Sequence, residues 1–140
     1  MPDAALCRFR PWFYAAAVYN FAWGVWAILQ PAAIFELLGM VAPMPLAFWQ
    51  VVGMMVLVWT PAYLWVASAP SRHPHFIVIA LLGKVLGPIG FVVAVSSGTL
   101  PLAFAPVIVA NDLVWWPAFS AYLRTIATDR GGWWSLLSGR

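Results

Sequence analysis

The stretch HFIVIALLGKVLGPIGFVVAVSS, residues 75–97, decides the class of fold. It is an unbroken apolar run with a single formal charge, at Lys84. About 20 apolar residues in helical form cross the roughly 30 Å hydrocarbon core of a bilayer. The run therefore predicts a transmembrane helix, and the question it raises is what surrounds the lysine.

Three further runs of similar length lie on either side of it. The whole sequence is 64% hydrophobic and 8% charged, with a mean hydropathy of +0.89. Such a chain has too little polar surface to cover a water-soluble globule. The runs are longer than barrel strands and lack strict alternation, which favours helices. We predict an all-α, polytopic membrane protein: one membrane domain over 1–140 and a compact bundle of four transmembrane helices, at about 12–30, 46–68, 75–97 and 102–124.

The connections predict how the bundle is oriented. Residues 31–45 would form a short outer segment at the membrane interface, with a small helix from Pro31 to near Gly39. Arginines outside the spans fall before the first, between the second and third, and after the fourth. Because cytoplasmic loops collect positive charge, both termini are expected in the cytoplasm of a bacterial inner (plasma) membrane. The net charge of +3 then reflects topology, and no nucleic-acid partner is predicted.

Four polar residues fall near the middle of the predicted spans: Asn20, Lys84, Asn111 and Asp112. A lone charge at the bilayer centre costs roughly 2.5–3.5 kcal/mol on insertion scales. Facing inward and pairing is cheaper for Lys84 and Asp112 than facing lipid. We therefore predict that the four side chains share one polar pocket, with Lys84 and Asp112 as the catalytic candidates if a reaction occurs there.

The surroundings of this pocket can also be predicted. Pro88 has no N–H, so the carbonyl of Lys84, four residues earlier, should be a free acceptor. Gly83, Gly87 and Gly90 form a ridge that another helix could approach closely. Tryptophans would line the walls, and Gln50 lies nearer the outer end. The complete set of predicted ligand-binding residues is Asn20, Trp23, Gln50, Lys84, Asn111, Asp112, Trp115 and Trp116.

Several kinds of chemistry lack residues to perform them. The sequence has no phosphate-binding glycine loop, no HExxH, no CxxC and no serine in a nucleophile elbow. Cys7 is the only cysteine, so no intramolecular disulfide can form. We predict no metal site and no cofactor. A purely structural alternative stays open, in which the buried charges and asparagines only fix how the helices pack.

The motifs YNFAWG, FWQVVGM, LLGKVLGPIGF and NDLVWWPAF occur in that order. This order resembles an uncharacterised family of small bacterial four-helix integral membrane proteins, over about residues 14–123. Members are sometimes labelled alkyl hydroperoxide reductase. Peroxide reduction needs an activated thiol, and Cys7 lies outside the matching region, so this sequence does not support the label. The resemblance implies the architecture and points to the residues Asn20, Trp23, Lys84, Asn111, Asp112 and Trp116.

Three functions remain in competition at this point. The first is binding of a lipophilic ligand, such as an isoprenoid, a quinone or a lipid, with proton transfer between Lys84 and Asp112 as an added role. The second is a non-enzymatic subunit of a membrane complex or a homo-oligomer. The third is a small proton-coupled transporter acting as a dimer. The residues leave open whether the chain is an enzyme, and its predicted partners are the lipid bilayer, a lipophilic small molecule and another membrane protein.

Overall fold

The computed structural model describes residues 2–138, which form helices and connecting turns with no strand among them. Four segments are long and apolar enough to cross a membrane: α2 (Arg10–Leu29), α4 (Ala47–Ser68), α5 (Pro74–Ser96) and the segment Leu102–Asp129. Shorter helices precede, join and follow them: α1 (Pro2–Cys7), α3 (Ala33–Leu37) and α8 (Trp133–Ser138). The predicted all-helical fold with four segments of spanning length is confirmed for this part of the chain.

The closest helix pair is α2 with α4, and two glycines make it possible. A Cβ atom built on Gly24 would lie 2.9 Å from the carbonyl oxygen of Gly53, and one built on Gly53 would lie 2.9 Å from the Cβ of Ala27. Side chains do not approach backbone so closely. Close packing was predicted at the glycines of α5 instead, yet a Cβ on Gly83 or Gly90 would meet nothing within 4 Å.

One end of the bundle gathers arginines around the loop between α4 and α5. Arg10 donates from Nε to the carbonyl of Ala67 at 2.7 Å, and Arg130 donates to the carbonyl of Ser71 at 2.9 Å. The hydroxyl of Tyr122 donates to the carbonyl of Pro70. We call this the arginine end. Behind it lies a core of buried apolar side chains that includes Leu6, Phe13, Val66, Ile77, Phe119, Ile126 and Leu136.

The fourth long segment is not the single helix that was predicted over 102–124. It runs through a 3₁₀ turn (Leu102–Phe104), α6 (Ala105–Asn111), a second 3₁₀ turn (Leu113–Trp115) and α7 (Trp116–Asp129). The N–H of Trp115 bonds the carbonyl of Asp112, three residues back, at 3.2 Å. Pro117 has no N–H to offer the carbonyl of Leu113. The α-helical ladder is therefore interrupted at Asp112 and resumes at Trp116.

Aromatic side chains cluster at the opposite end. The Trp49 ring lies 5.5 Å from that of Trp23, 4.9 Å from that of Phe35 and 6.0 Å from that of Phe104. Helix α3 is shorter than the predicted helix from Pro31 to near Gly39, and it is followed by Gly39 in a left-handed conformation with φ of 64°. Glycine tolerates that conformation without strain, which explains why the helix stops before it.

Candidate functional site: a polar cavity midway along the helices

A cavity of about 510 Å³ lies between α2, α4, α5 and the end of α6. Its polar wall consists of Asn20, Lys84, Asn111 and Asp112, so the four residues predicted to share a pocket do line the same one. The rest of the lining is mostly apolar: Val52, Met55, Val56, Trp59, Tyr63, Ile79, Ala80, Gly83 and Gly87. A second cavity of about 740 Å³, at the opposite end, has no ionisable residue in its lining.

Lys84 is bonded to the fourth segment in two places. Its Nζ donates to the carbonyl of Asn111 at 2.5 Å. Its own carbonyl accepts a hydrogen bond from Nε1 of Trp116 at 3.0 Å. Pro88 explains the second bond, because it leaves that carbonyl without a helical donor. The free acceptor predicted from the sequence is therefore present, and an indole on another helix satisfies it.

The break in the fourth segment creates the acceptor that the lysine uses. In a continuous helix the carbonyl of Asn111 would accept from the N–H of Trp115, but that N–H bonds Asp112 instead. The carbonyl of Ala110 is satisfied by Nε1 of Trp115 at 3.1 Å. The ring of this tryptophan also lies 5.8 Å from the ammonium of Lys84, within reach of a cation–π contact. A cation and one indole thus satisfy the carbonyls at the break in the fourth segment, and the indole of Trp116 satisfies the carbonyl that Pro88 frees in α5.

Asp112 lies against α5 at a glycine. A Cβ built on Gly87 would be 2.6 Å from Oδ2 of Asp112 and 3.3 Å from its Cγ. The other carboxylate oxygen, Oδ1, accepts a long bond of 3.4 Å from Nδ2 of Asn111. Of the three glycines in the predicted ridge, Gly87 is the one that another segment approaches, and what approaches it is a carboxylate.

The predicted direct pairing of Lys84 with Asp112 needs correction. Among the hydrogen bonds and ion pairs of residues 2–138, none joins the ammonium to the carboxylate, and the ammonium bonds the Asn111 carbonyl instead. The break in the helix is the reason, since it offers a nearer acceptor. Both residues are nevertheless buried, with 7% and 6% of their surface exposed, and both line the cavity. Their opposite charges therefore balance across one small space.

Some polar groups of the residues that line the cavity have no partner within residues 2–138. An ammonium carries three N–H donors, and one of them is engaged. The amide oxygen of Asn111 is buried and has no hydrogen-bond partner in the described part of the chain. Buried polar atoms without partners are rare in folded proteins and call for an explanation. Residues 2–138 hold no group of three or more His, Cys, Asp and Glu side chains placed to bind a metal.

Four of the eight predicted ligand-binding residues lie outside the cavity lining. Nε2 of Gln50 donates to the carbonyl of Ile28 at 2.9 Å, where α2 ends, and Trp23 belongs to the aromatic cluster of the opposite end. Trp115 and Trp116 lie beside the cavity and bond backbone carbonyls. We therefore reassign these two indoles from ligand contacts to supports for Lys84 and the helix break.

The cavity also has a wall that the sequence reasoning missed. Met55, Trp59 and Tyr63 line it from α4, and the rings of Trp59 and Tyr63 lie 6.1 Å apart. They recur at four-residue spacing, which puts them on one helix face. That periodicity was available in the sequence. It could not be recognised because α4 is apolar all round, so no polar face shows which side turns inward.

No protein-family model, curated protein or solved structure matches this chain. The resemblance to a family of small bacterial four-helix membrane proteins therefore stays a prediction from the sequence motifs.

Proposed function

We propose that the chain is a multi-pass protein of the bacterial inner membrane and that its cavity binds a lipophilic molecule. Four apolar segments of spanning length support the membrane setting. Arg10, at the start of α2, and Arg130, after α7, both bond the end of α4 or the loop between α4 and α5, so these arginines lie at one end. By the positive-inside tendency this end faces the cytoplasm, and both termini lie on that side.

One observation carries the proposal: two buried groups of opposite charge face a cavity whose other walls are mostly apolar. Ionisable groups at membrane depth are costly, and they usually mark a functional site. If Lys84 and Asp112 served only to hold the helices together, no cavity beside them would be needed. The cavity of about 510 Å³ is instead within the range of small-molecule binding sites. The ligand's polar end would meet Lys84 and Asp112, and its tail would lie along Val52 and Met55. An isoprenoid, a quinone and a lipid each have this form.

Proton transfer is a second role that this arrangement supports. Lys84 and Asp112 lie on separate segments, one able to donate a proton and the other able to accept one. A ligand carbonyl held between them would have an acid on one side and a base on the other, which is the arrangement of general acid–base catalysis. Such a reaction would make the protein an enzyme, and binding alone would not.

Thermal unfolding in detergent micelles tests the binding proposal with three probes: a decyl-substituted benzoquinone, farnesol and phosphatidylglycerol. A ligand present at 100 times its dissociation constant stabilises the folded state by about 2.7 kcal/mol. We expect at least one probe to raise the midpoint of the wild type and to leave the Lys84→Met, Asp112→Leu double variant unchanged. A control introduces the same two residue types at exposed positions that do not line the cavity, as Leu86→Met and Val114→Leu.

The double variant also removes the bond from Lys84 to Asn111, so its fold must be checked by circular dichroism and gel filtration. If it does not fold, Asn20→Leu replaces it, because Asn20 lines the cavity and leaves both Lys84 bonds in place. Equal midpoint shifts in the wild type and in a folded cavity variant would contradict the proposal. So would the absence of a shift with all three probes.

A second candidate function is an assembly subunit, and the surface of α5 favours it. Gly83 and Gly90 have open space around them and lie among exposed apolar residues such as Leu82, Leu86 and Val93. Small residues on an apolar helix face let another transmembrane helix approach closely. Under this alternative the bonds of Lys84 only hold α5 to the fourth segment. Purification in mild detergent with a stoichiometric companion, or as a stable homodimer, would support it.

The transporter alternative rests on the broken fourth segment. Discontinuous helices whose free carbonyls face a central site are typical of secondary transporters. Here the free carbonyl of Asn111 faces a lysine near the middle of α5. Substrate-dependent proton flux in proteoliposomes would support this alternative over simple binding.

A further inference from the structure

We infer that the ligand enters sideways from the hydrocarbon layer, through an opening between α4 and α5, and that it is an uncharged lipid with a small carbonyl or hydroxyl head group. This inference rests on the proposed function and narrows its ligand class. Three observations support it: the position of the cavity opening, the aromatic layers on either side of the cavity, and the two charged side chains that line it.

The opening lies on the flank of the bundle. Met55 of α4 is 66% exposed and Ile79 of α5 is 54% exposed, yet both line the cavity. Gly83 lines it as well and is exposed. α4 packs chiefly against α2 and only lightly against α5. The exposed lining residues therefore form a lateral opening in the face that the surrounding lipid would cover.

Aromatic side chains lie between the polar cavity and each end of the bundle. Toward the arginine end the ring of Phe13 lies 5.8 Å from that of Phe119 and 4.9 Å from that of Tyr122. These rings are fully buried. Toward the opposite end the aromatic cluster around Trp49 lines the second cavity, which shares no lining residue with the polar one. A molecule that comes from water would have to pass one of these layers, whereas a molecule dissolved in the hydrocarbon layer meets the lateral opening directly.

The charges in the cavity favour an uncharged head group. The ammonium of Lys84 and the carboxylate of Asp112 already balance, so a charged ligand would leave one buried charge without a counterion, which is strongly unfavourable. The depth of Lys84 within the membrane also favours an uncharged head group. Lys84 is ten residues from Pro74 and twelve from Ser96, or about 15–18 Å from either end of α5 at 1.5 Å per residue. A phospholipid head group would have to leave the interface to reach it.

The unused hydrogen-bonding groups define what the head group carries. A carbonyl or hydroxyl oxygen can accept from the ammonium of Lys84. A hydroxyl can also donate to the carboxylate of Asp112, which lines the cavity. A head group of this kind on a hydrocarbon tail satisfies the polar wall while the tail contacts the apolar one.

The test uses the fact that Lys84 is the only lysine in the sequence. Proteoliposomes are treated with decanal or with glyoxylate, each together with picoline borane, an uncharged reductant that enters lipid. The amine adds to the aldehyde carbon, water leaves, and hydride from the borane reduces the imine to a secondary amine. Both reagents use this chemistry, but decanal partitions into lipid and glyoxylate is a water-soluble anion. Peptide mass spectrometry then measures the modification of Lys84.

Two matched pairs of variants locate the opening. Gly83→Leu fills the cavity mouth, and Gly90→Leu adds the same side chain to another open glycine of α5 that does not line the cavity. Met55→Trp and Met54→Trp form the second pair on α4, where both methionines are exposed and only Met55 lines the cavity. The second pair decides the result if Gly83→Leu does not fold. Every variant is also unfolded in dodecyl sulfate, where glyoxylate must modify Lys84.

We expect decanal to modify the wild type, Gly90→Leu and Met54→Trp at similar rates, and Gly83→Leu and Met55→Trp at least tenfold more slowly. We expect glyoxylate to leave Lys84 unmodified in the folded protein. Unchanged rates in the folded cavity-mouth variants, or equal modification of the wild type by glyoxylate, would overturn the inference. This labelling does not depend on the natural ligand. The labelling can therefore show a lateral opening even if the thermal-unfolding test finds no ligand. It can equally show no opening when that test does find one.

Discussion

Replacing Gly87 with alanine tests the position of Asp112 against α5. The added Cβ would lie 2.6 Å from Oδ2 and 3.3 Å from Cγ of a buried carboxylate, so the side chain or the helix must move. Overpacking of this kind costs about 1–3 kcal/mol. Replacing glycine with alanine inside a helix by itself stabilises the folded state by about 0.5–1 kcal/mol. Gly83→Ala gains the same helix propensity, and its Cβ would meet no atom within 4 Å. The difference between the two variants therefore isolates the clash, at about 1–3 kcal/mol.

Unfolding by dodecyl sulfate in mixed micelles, followed by circular dichroism, measures this difference. We expect Gly83→Ala to be as stable as the wild type or slightly more stable, and Gly87→Ala to be less stable than Gly83→Ala. In an Asp112→Ala background, adding Gly87→Ala should cost much less than it does in the wild type, because the atoms that the new Cβ meets are gone. Equal unfolding free energies for the two glycine variants would refute the close contact between Asp112 and Gly87.

Three further predictions concern the bonds and contacts that hold the site, and the same unfolding titration measures the first two. Gly53→Ala should destabilise the protein by about 1–3 kcal/mol, because its Cβ would press on backbone and on Ala27, and wild-type stability would contradict the packing of α2 on α4. Trp116→Phe should cost about 1–3 kcal/mol by leaving the Lys84 carbonyl unpaired, and no loss would mean that this bond is absent. Tyr122→Phe should speed amide hydrogen exchange in residues 69–73, whereas unchanged exchange would show that the loop is held by other groups.

The sequence predicts the fold class because the bilayer limits the choice of structure. Long apolar runs allow only helices or closed barrels, and the observed helix ends lie close to those predicted for the first three long segments. The fourth segment was mispredicted. Asp112 and Pro117 each indicate a weak point, but whether the backbone breaks depends on partners elsewhere, in this fold the ammonium of Lys84 and the indole of Trp115.

The polar part of the candidate site could be predicted from the sequence. Asn20, Lys84, Asn111 and Asp112 stand out in apolar surroundings, and the structure brings them to one cavity. The apolar wall from α4 could not be predicted, because inward and outward faces have the same composition there. The close contact of α2 with α4 was missed for a related reason, since isolated glycines such as Gly24 and Gly53 show no spacing that distinguishes them from the glycines of α5.

The central claim is that the cavity holds a lipophilic molecule, and native mass spectrometry tests it most directly. The wild type is released from lipid nanodiscs prepared from native membranes, beside the Lys84→Met, Asp112→Leu variant and the Leu86→Met, Val114→Leu control. We predict that the wild type and the control retain a small lipophilic mass that the folded cavity variant lacks. A bare wild type, or a mass that all three proteins retain equally, would contradict the claim.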